Sequence, residues 1–354
     1  MKLVGILLIS ILLYIVKDGM TMSFFIGAFL LYLLSFRLLL QYGGNQIQLQ
    51  IHAHPCEGDS HKIRVAVELQ NEGLLPILLG ILHLRIENMI TGACNQKKWV
   101  VSLGPKRKTE FLFYVEDVCC GGIRIQCENM MVCDFLKIWK IRKPLQGEAT
   151  GHIMPTLQEL PLSKEDVGRY DMESHKFSPH KKGNDSSETF GINLYQPGDN
   201  IKFIHWKLTG KMDELVIREL GLPIDNKLMI LVDKSLMDHP ALSGEKRSEA
   251  TALAGSLSYS FAKAGIHHQI GWFDQRGHEF VTYKVQHEED VWSFIPHLLE
   301  SPYDTQMEPV PVKFIEAETE KDFSYFIVVT NGDVDIERLM LYGDVNIYRP
   351  EDFQ

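Results

Sequence analysis

At 354 residues the chain is long for a single core and suggests roughly two domains with something smaller attached. Hydrophobic residues at 45% and charged residues at 23% exclude wholesale disorder, and a formal net charge of -10 argues against a nucleic-acid protein, because phosphate backbones are held by clustered Lys and Arg. Up to Asn45 the only charged side chains are Lys2, Lys17, Asp18 and Arg37, so the acidic excess belongs wholly to the remainder.

Leu3 to Val16 is an unbroken apolar run, Lys17-Asp18-Gly19 interrupts it, and Phe24 to Leu40 is a second run broken only by Ser35 and Arg37. The pattern predicts a two-helix transmembrane hairpin over residues 1–42. The first run is shorter than the roughly 20 residues of an untilted span, so a signal peptide starting at Lys2 competes with this reading. No small-x-small cleavage site follows the run, which favours the hairpin. Lys2 and Arg37 stand at the outer ends, so the positive-inside rule implies a multi-pass bacterial plasma-membrane protein with its soluble domains in the cytoplasm.

Residues 46–143 alternate with period two: Ile47, Leu49 and Ile51; Ile63, Val65, Val67 and Leu69; Leu82, Leu84 and Ile86; Ile123, Ile125 and Cys127. Turn signals such as Glu57-Gly58-Asp59 and Gly104-Pro105 separate the runs, which predicts an antiparallel β-sandwich. All six cysteines lie in this segment. Their even number is compatible with disulfides, and an extracytoplasmic sensing protein of the envelope would be the corresponding reading. Without a C-x-x-C pair, buried reduced thiols are the simpler account.

Residues 144–189 read as a polar linker or surface loop. The most informative stretch is 190–220, FGINLYQPGDNIKFIHWKLTGKMDELVIREL. Pro197-Gly198 is a turn, Asp199 or Asn200 is a candidate N-cap, and Ile201, Ile204 and Leu208 recur at helical spacing up to Thr209-Gly210. Leu215-Val216-Ile217 then reads as a strand. Trp206 is expected to fill a domain junction, with His205 bonded to a carboxylate such as Asp199.

This segment resembles the signature of the domain of unknown function 58 family, which runs roughly Gly-x-Arg-x-Tyr-x-Pro-Gly-Asp-x-x-Arg-x-Ile-His-Trp-Lys. Gly191, Tyr195, Pro197, Gly198, Asp199, Ile204, His205, Trp206 and Lys207 match it, whereas Asn193 and Lys202 stand where the family has Arg. Asp134-Phe135-Leu136 resembles the family's Asp-Pro-Phe-Gly-Leu turn without its Pro and Gly. The resemblance implies a membrane hairpin, a β-sandwich and a von Willebrand factor A-like domain. It also implies the company of a MoxR-type AAA+ ATPase and a transglutaminase-like membrane protein. The interaction residues it implies are Tyr195, Pro197, Gly198, Asp199, His205, Trp206 and Lys207.

Residues 225–354 alternate apolar strands (Leu228 to Val232, Ile270 to Phe273, Tyr325 to Thr330) with helices around Ala250 to Phe261 and Val291 to Leu299, which predicts a parallel sheet covered by helices. Asp233 and Ser235 stand at a strand's carboxyl end, where such sheets gather ligands. In von Willebrand A-like domains an Asp-x-Ser-x-Ser run there holds magnesium; here Met237 replaces the last Ser, so the site reads as degenerate and no cofactor is expected. His267-His268 at a strand start reads as surface. A hydrolase built from Asp199, His205 and Thr209, or from Ser235 and a distant His, lacks a nucleophile elbow, and the expectation is a non-enzymatic adaptor.

Overall fold

The computed structural model describes residues 19–353 apart from 45, 57, 135–138, 162–175, 197–200, 213, 225–227 and 318–322. It is mostly β-sheet and divides into one unit ending at Met154 and another beginning at Pro155. Several expectations fall outside the described residues: the first hairpin arm with Lys17-Asp18, most of the Asp134-Phe135-Leu136 turn, and Pro197, Gly198 and Asp199.

Among the described residues the first unit begins with helix α1 (Gly19–Gly44), so Gly19, expected in a turn, is helical instead. Among the described residues no helix is long and apolar enough to cross a membrane, which overturns the transmembrane hairpin and the two-helix plasma-membrane placement. In α1 the stretch free of Ser, Thr, Gln and charge runs only from Phe24 to Leu34, about 16 Å of helix against a hydrocarbon core of roughly 30 Å. Ser35, Arg37 and Gln41 then bring polar groups every few residues. The carboxyl half of α1 is tied to the strands beyond it. Lys143 Nζ donates to the Gln41 carbonyl at 3.2 Å, and the Arg37 guanidinium lies 5.3 Å from the Trp139 ring centroid.

Eight strands follow: β1 (Ile47–Cys56), β2 (Asp59–Asn71), β3 (Ile77–Asn88), β4 (Cys94–Leu103), β5 (Lys108–Glu116), β6 (Gly121–Cys133), β7 (Lys140–Lys143) and β8 (Glu148–Ile153). They form two antiparallel sheets, β1-β2-β5 and β4-β3-β6-β7, with β8 also paired to β6. One apolar core lies between them. Ile63, Val65, Val67 and Leu69 of β2 face Leu82, Leu84, Ile86, Ile123 and Ile125 across it, all buried. In β6 the register against β3 shifts past Cys127, so burial passes from Ile123, Ile125 and Cys127 to Met130 and Val132. A β-bulge at Glu128 explains why simple alternation stops there. Gly151 of β8 has no side chain for a packing reason: a Cβ there would sit 2.9 Å from Ile63 Cγ2.

All six cysteines are free thiols: Cys94 is exposed, Cys56 and Cys119 are half-buried, and Cys120, Cys127 and Cys133 are buried. Burial pushes the Cys127 thiol up to about 11, which suppresses its reactive thiolate.

The stretch read as a linker contributes β8 to the first unit and most of β9 (Lys176–Leu194) to the second. β9 pairs antiparallel with β10 (Val216–Ile224). The rest of the second unit is a five-stranded sheet in the order β13-β12-β11-β14-β15, built from β11 (Leu228–Val232), β12 (His268–Asp274), β13 (Glu279–Val285), β14 (Tyr325–Val329) and β15 (Asp344–Tyr348). Pairing is parallel except for β13, which turns back against β12. β11 and β14 are buried at every residue, as expected of central strands covered on both faces. Helix α3 (Gly244–Lys263) connects β11 to β12, and α4 (Glu288–Glu300) and α5 (Val310–Glu316) lie between β13 and β14. Short α2 (Trp206–Met212) sits in the β9–β10 connection. Ser243 caps α3 by accepting the Lys246 N–H. Ser256 and Ser260 on α3 accept the N–H groups of Gln158 and Leu160, which seats the start of the unit along that helix.

Thiol titration of the native protein should modify Cys94 rapidly and leave Cys120, Cys127 and Cys133 protected until denaturant is added. Rapid modification of Cys127 in native conditions would contradict the packing described for β6.

Candidate functional site

The 190–220 motif closes the end of the β9–β10 hairpin. Tyr195 N–H donates to the Leu215 carbonyl at 2.8 Å, His205 N–H to the Val216 carbonyl at 2.8 Å, and Val216 N–H to Thr209 Oγ1 at 3.2 Å. A 3₁₀ turn (Ile201–Phe203) and a bridge between Ile204 and Ile217 precede α2. The expected continuous helix therefore breaks at Ile204, because strand pairing takes that residue.

His205 starts α2. Its carbonyl accepts from Leu208 and Thr209, and its Nδ1 accepts the Leu208 N–H at 3.3 Å. An imidazole nitrogen that accepts a backbone N–H leaves the ring proton on Nε2. His205 is thus a helix cap, and its expected carboxylate partner Asp199 lies outside the described residues. Trp206 corrects a second expectation: it is 66% exposed, not packed away in a junction. Lys207 is exposed beside it, and Tyr195 is half-buried.

The other candidate residues lie at the carboxyl end of β11. Asp233, 5% exposed, is surrounded by donors: Oδ1 accepts the N–H groups of Ser235 at 3.2 Å and Val310 at 3.1 Å, and Oδ2 accepts the Thr330 hydroxyl at 3.1 Å. Burial raises its pKa to about 6, with these hydrogen bonds opposing the shift. Ser235 Oγ donates to the Met307 carbonyl and accepts the Met237 N–H. Lys234, between Asp233 and Ser235 in sequence, points the other way. It is fully buried, and its Nζ donates to the carbonyls of Leu298 and Ser301 at the end of α4, 5.7 Å from the Tyr303 ring centroid.

These residues do not suit a magnesium ion. Both Asp233 oxygens are already used, the Ser235 hydroxyl is committed to a carbonyl, and the cleft beside them has about 10 Å³ of room, about one water. Among the described residues no group of three or more His, Cys, Asp or Glu side chains is arranged to hold a metal ion.

Residues 192–308 match the model of the family described as protein of unknown function DUF58. That stretch of the chain is similar to the DUF58 family. The matched third of the chain runs from β9 through the motif and the β11 end to the loop before α5, so both candidate regions lie in the DUF58 segment. No curated protein matches the chain. Among solved structures, the CARDB domain of a Pyrococcus furiosus protein, in complex with di-metal ions, is 19% identical with a TM-score of 0.23, over 30% of this chain and 87% of that one. A β-glucosidase from Kluyveromyces marxianus in complex with glucose is 11% identical with a TM-score of 0.22, over 30% of this chain and 14% of that one. Likeness at this level carries no argument about this chain.

Three polar residues of the second unit escape a motif-based reading: Lys234, Thr330 and His268. His268, expected at the surface, is 4% exposed; its Nδ1 faces the Ile266 carbonyl at 3.0 Å and its Nε2 the Ser258 hydroxyl at 2.7 Å. A carbonyl only accepts, so Nδ1 carries the proton and Nε2 receives one from Ser258. Burial pulls the His268 pKa down to about 4. The signal was available in β12, where His268 is in phase with the buried Ile270 and Trp272.

Asp233 and His268 have opposite linkage to pH. Asp233 binds its proton more tightly folded than unfolded, so its contribution is full below about pH 4 and is lost as pH rises through 6. His268 contributes fully above about pH 6.5 and loses its contribution as pH falls through 4. Each shift spans about two units, on the order of 3 kcal/mol, so the two largely cancel between pH 6.5 and 4. Urea unfolding across this range should show Asp233→Asn losing stability on acidification faster than wild type, and His268→Asn losing it more slowly. Parallel pH profiles for wild type and Asp233→Asn would refute the buried-carboxylate assignment. At pH 7 Asp233→Ala, which strands two N–H groups and a hydroxyl, should cost roughly 2–4 kcal/mol.

Proposed function

We propose that this protein is a non-enzymatic interaction module that engages a partner protein through the platform at the end of its β9–β10 hairpin. The observation that carries the reading is Trp206, 66% exposed on a seven-residue helix whose first turn is capped by His205 and whose flanks are pinned to β10. Exposed Leu194 and Leu215 and exposed Lys202, Lys207 and Lys211 belong to the same closed connection and its flanks. A rigidly mounted tryptophan among apolar and basic neighbours has the composition of a binding anchor with a polar rim.

Catalysis has less support. The Thr209 hydroxyl accepts the Val216 N–H, and the Ser235 proton goes to the Met307 carbonyl. Nucleophilic attack would need one of these hydroxyls aligned with a histidine base. Ser258 and His268 form a close Ser–His pair, but both are buried. The reading calls for no cofactor. Its partner, implied by the resemblance of the motif to the family signature, is a MoxR-type AAA+ ATPase, with a transglutaminase-like membrane protein in the same company. The role we assign is to present client proteins to that ATPase during assembly or maintenance of envelope or secreted proteins.

The test is co-purification of the full chain with a MoxR-type AAA+ ATPase loaded with ATP. Trp206→Ala should weaken association about thirtyfold, the effect of losing about 2 kcal/mol at an anchor, while leaving the melting temperature within about 2 °C of wild type. Retention equal to wild type would reject the platform as the docking surface. A large fall in melting temperature would instead assign Trp206 to packing.

A further inference from the structure

A groove of about 220 Å³ opens at the outer side of the α/β sheet, away from the Asp233 cleft. Its wall is aromatic: Tyr283 of β13 and His297 of α4 stack at 5.7 Å and 19°, and Trp272 of β12, itself buried, backs Tyr283 at 5.6 Å with planes 10° apart. Its rim carries three carboxylates, Asp274, Glu279 and Glu300, against one guanidinium, Arg276. These acids come from three elements, so the antiparallel return of β13 and the end of α4 bring them together.

A second observation concerns Ser301. It is 3% exposed and lines the groove, and its Oγ has no hydrogen-bond partner among the described residues. A buried hydroxyl without a partner is uncommon in a folded protein and marks a place where a ligand group is wanted. The carbonyls of Leu298 and Ser301 behind it are taken by Lys234, so the carboxylates of the rim, and not the helix end, set the sign of the charge the groove prefers.

We infer that this groove binds an alkyl chain ending in a guanidinium or ammonium group, of about the bulk of an arginine side chain. The volume holds roughly seven waters, which such a chain would displace. Its methylenes lie along Tyr283 and His297, and its charged end donates to Glu279 and Asp274. Ser301 Oγ accepts one further N–H. Asp274 is held in place for this by accepting the Gly277 N–H at 3.1 Å through Oδ2. The same chemistry is offered by a free small amine and by an arginine of a bound protein.

Calorimetric titration of the full chain distinguishes these sources with butylguanidinium as the free cation and N-acetylarginine methylamide as arginine in a peptide. Glutarate serves as an anionic control. At least one cation should bind one-to-one and glutarate should not. Tighter binding of butylguanidinium identifies a small-molecule site, and tighter binding of the arginine derivative identifies a protein side chain. Glu279→Gln, at an exposed position, should weaken binding about tenfold, and Ser301→Ala several-fold. Absence of binding by both cations up to about 10 mM, undiminished binding to Glu279→Gln, or equal binding of glutarate would each overturn the inference.

Discussion

The burial of two consecutive charged residues, Asp233 and Lys234, at the end of the central strand governs the second unit. Asp233, Lys234 and Ser235 follow directly on β11, a strand with no exposed residue, so the chain leaves the sheet core carrying groups that are costly to bury without partners. Each is satisfied from a different direction. Asp233 joins β14 through Thr330 and the start of α5 through Val310; Lys234 takes the last carbonyls of α4; Ser235 holds the Met307 carbonyl and bridges Asp304. Removing one partner from such a junction strands the others in a low-dielectric interior, which makes the cluster all-or-none. The groove beside Ser301 depends on the same junction, since Lys234 holds the chain where α4 ends.

That commitment distinguishes the strand end from the hairpin within the DUF58 segment. The strand-end residues, which sit where α/β sheets commonly place their ligands, spend their hydrogen-bonding capacity internally. The hairpin platform does the opposite. Its backbone is closed by Tyr195, His205, Thr209 and Val216, while Trp206 and Lys207 are left facing solvent. A rigid mount lowers the entropy lost when an exposed aromatic is captured, the condition under which one tryptophan can dominate an interface.

Local pattern was informative wherever one period covered an element. Ile63, Val65, Val67 and Leu69 were legible as one buried face because large apolar residues recur at every second position of β2, and Ala250, Leu253, Ala254, Leu257 and Phe261 as a buried helical stripe because α3 keeps its 3.6 period. The motif at 190–220 was legible as a unit because a long run of particular residue types at fixed spacing rarely arises by chance. Pattern misled where local sequence was apolar without being long enough. In α1 a run that reads as a span is cut by Ser35, Arg37 and Gln41, and the 144–189 stretch, polar enough to read as linker, supplies β8 and most of β9 because strand pairing needs only backbone groups.

The chain alone thus determined which residues must leave water in each regular element and the presence of the family motif, since these follow from composition and spacing. It could not decide which way a polar residue at an element's end would turn. Lys234 inward to α4, His268 inward to Ser258, Trp206 outward to solvent, and the convergence of Asp274, Glu279 and Glu300 around one groove all depend on residues distant in sequence supplying or withholding a partner. Hydrogen-bond satisfaction and burial are properties of the packed interior, and only the tertiary structure brings those partners within reach.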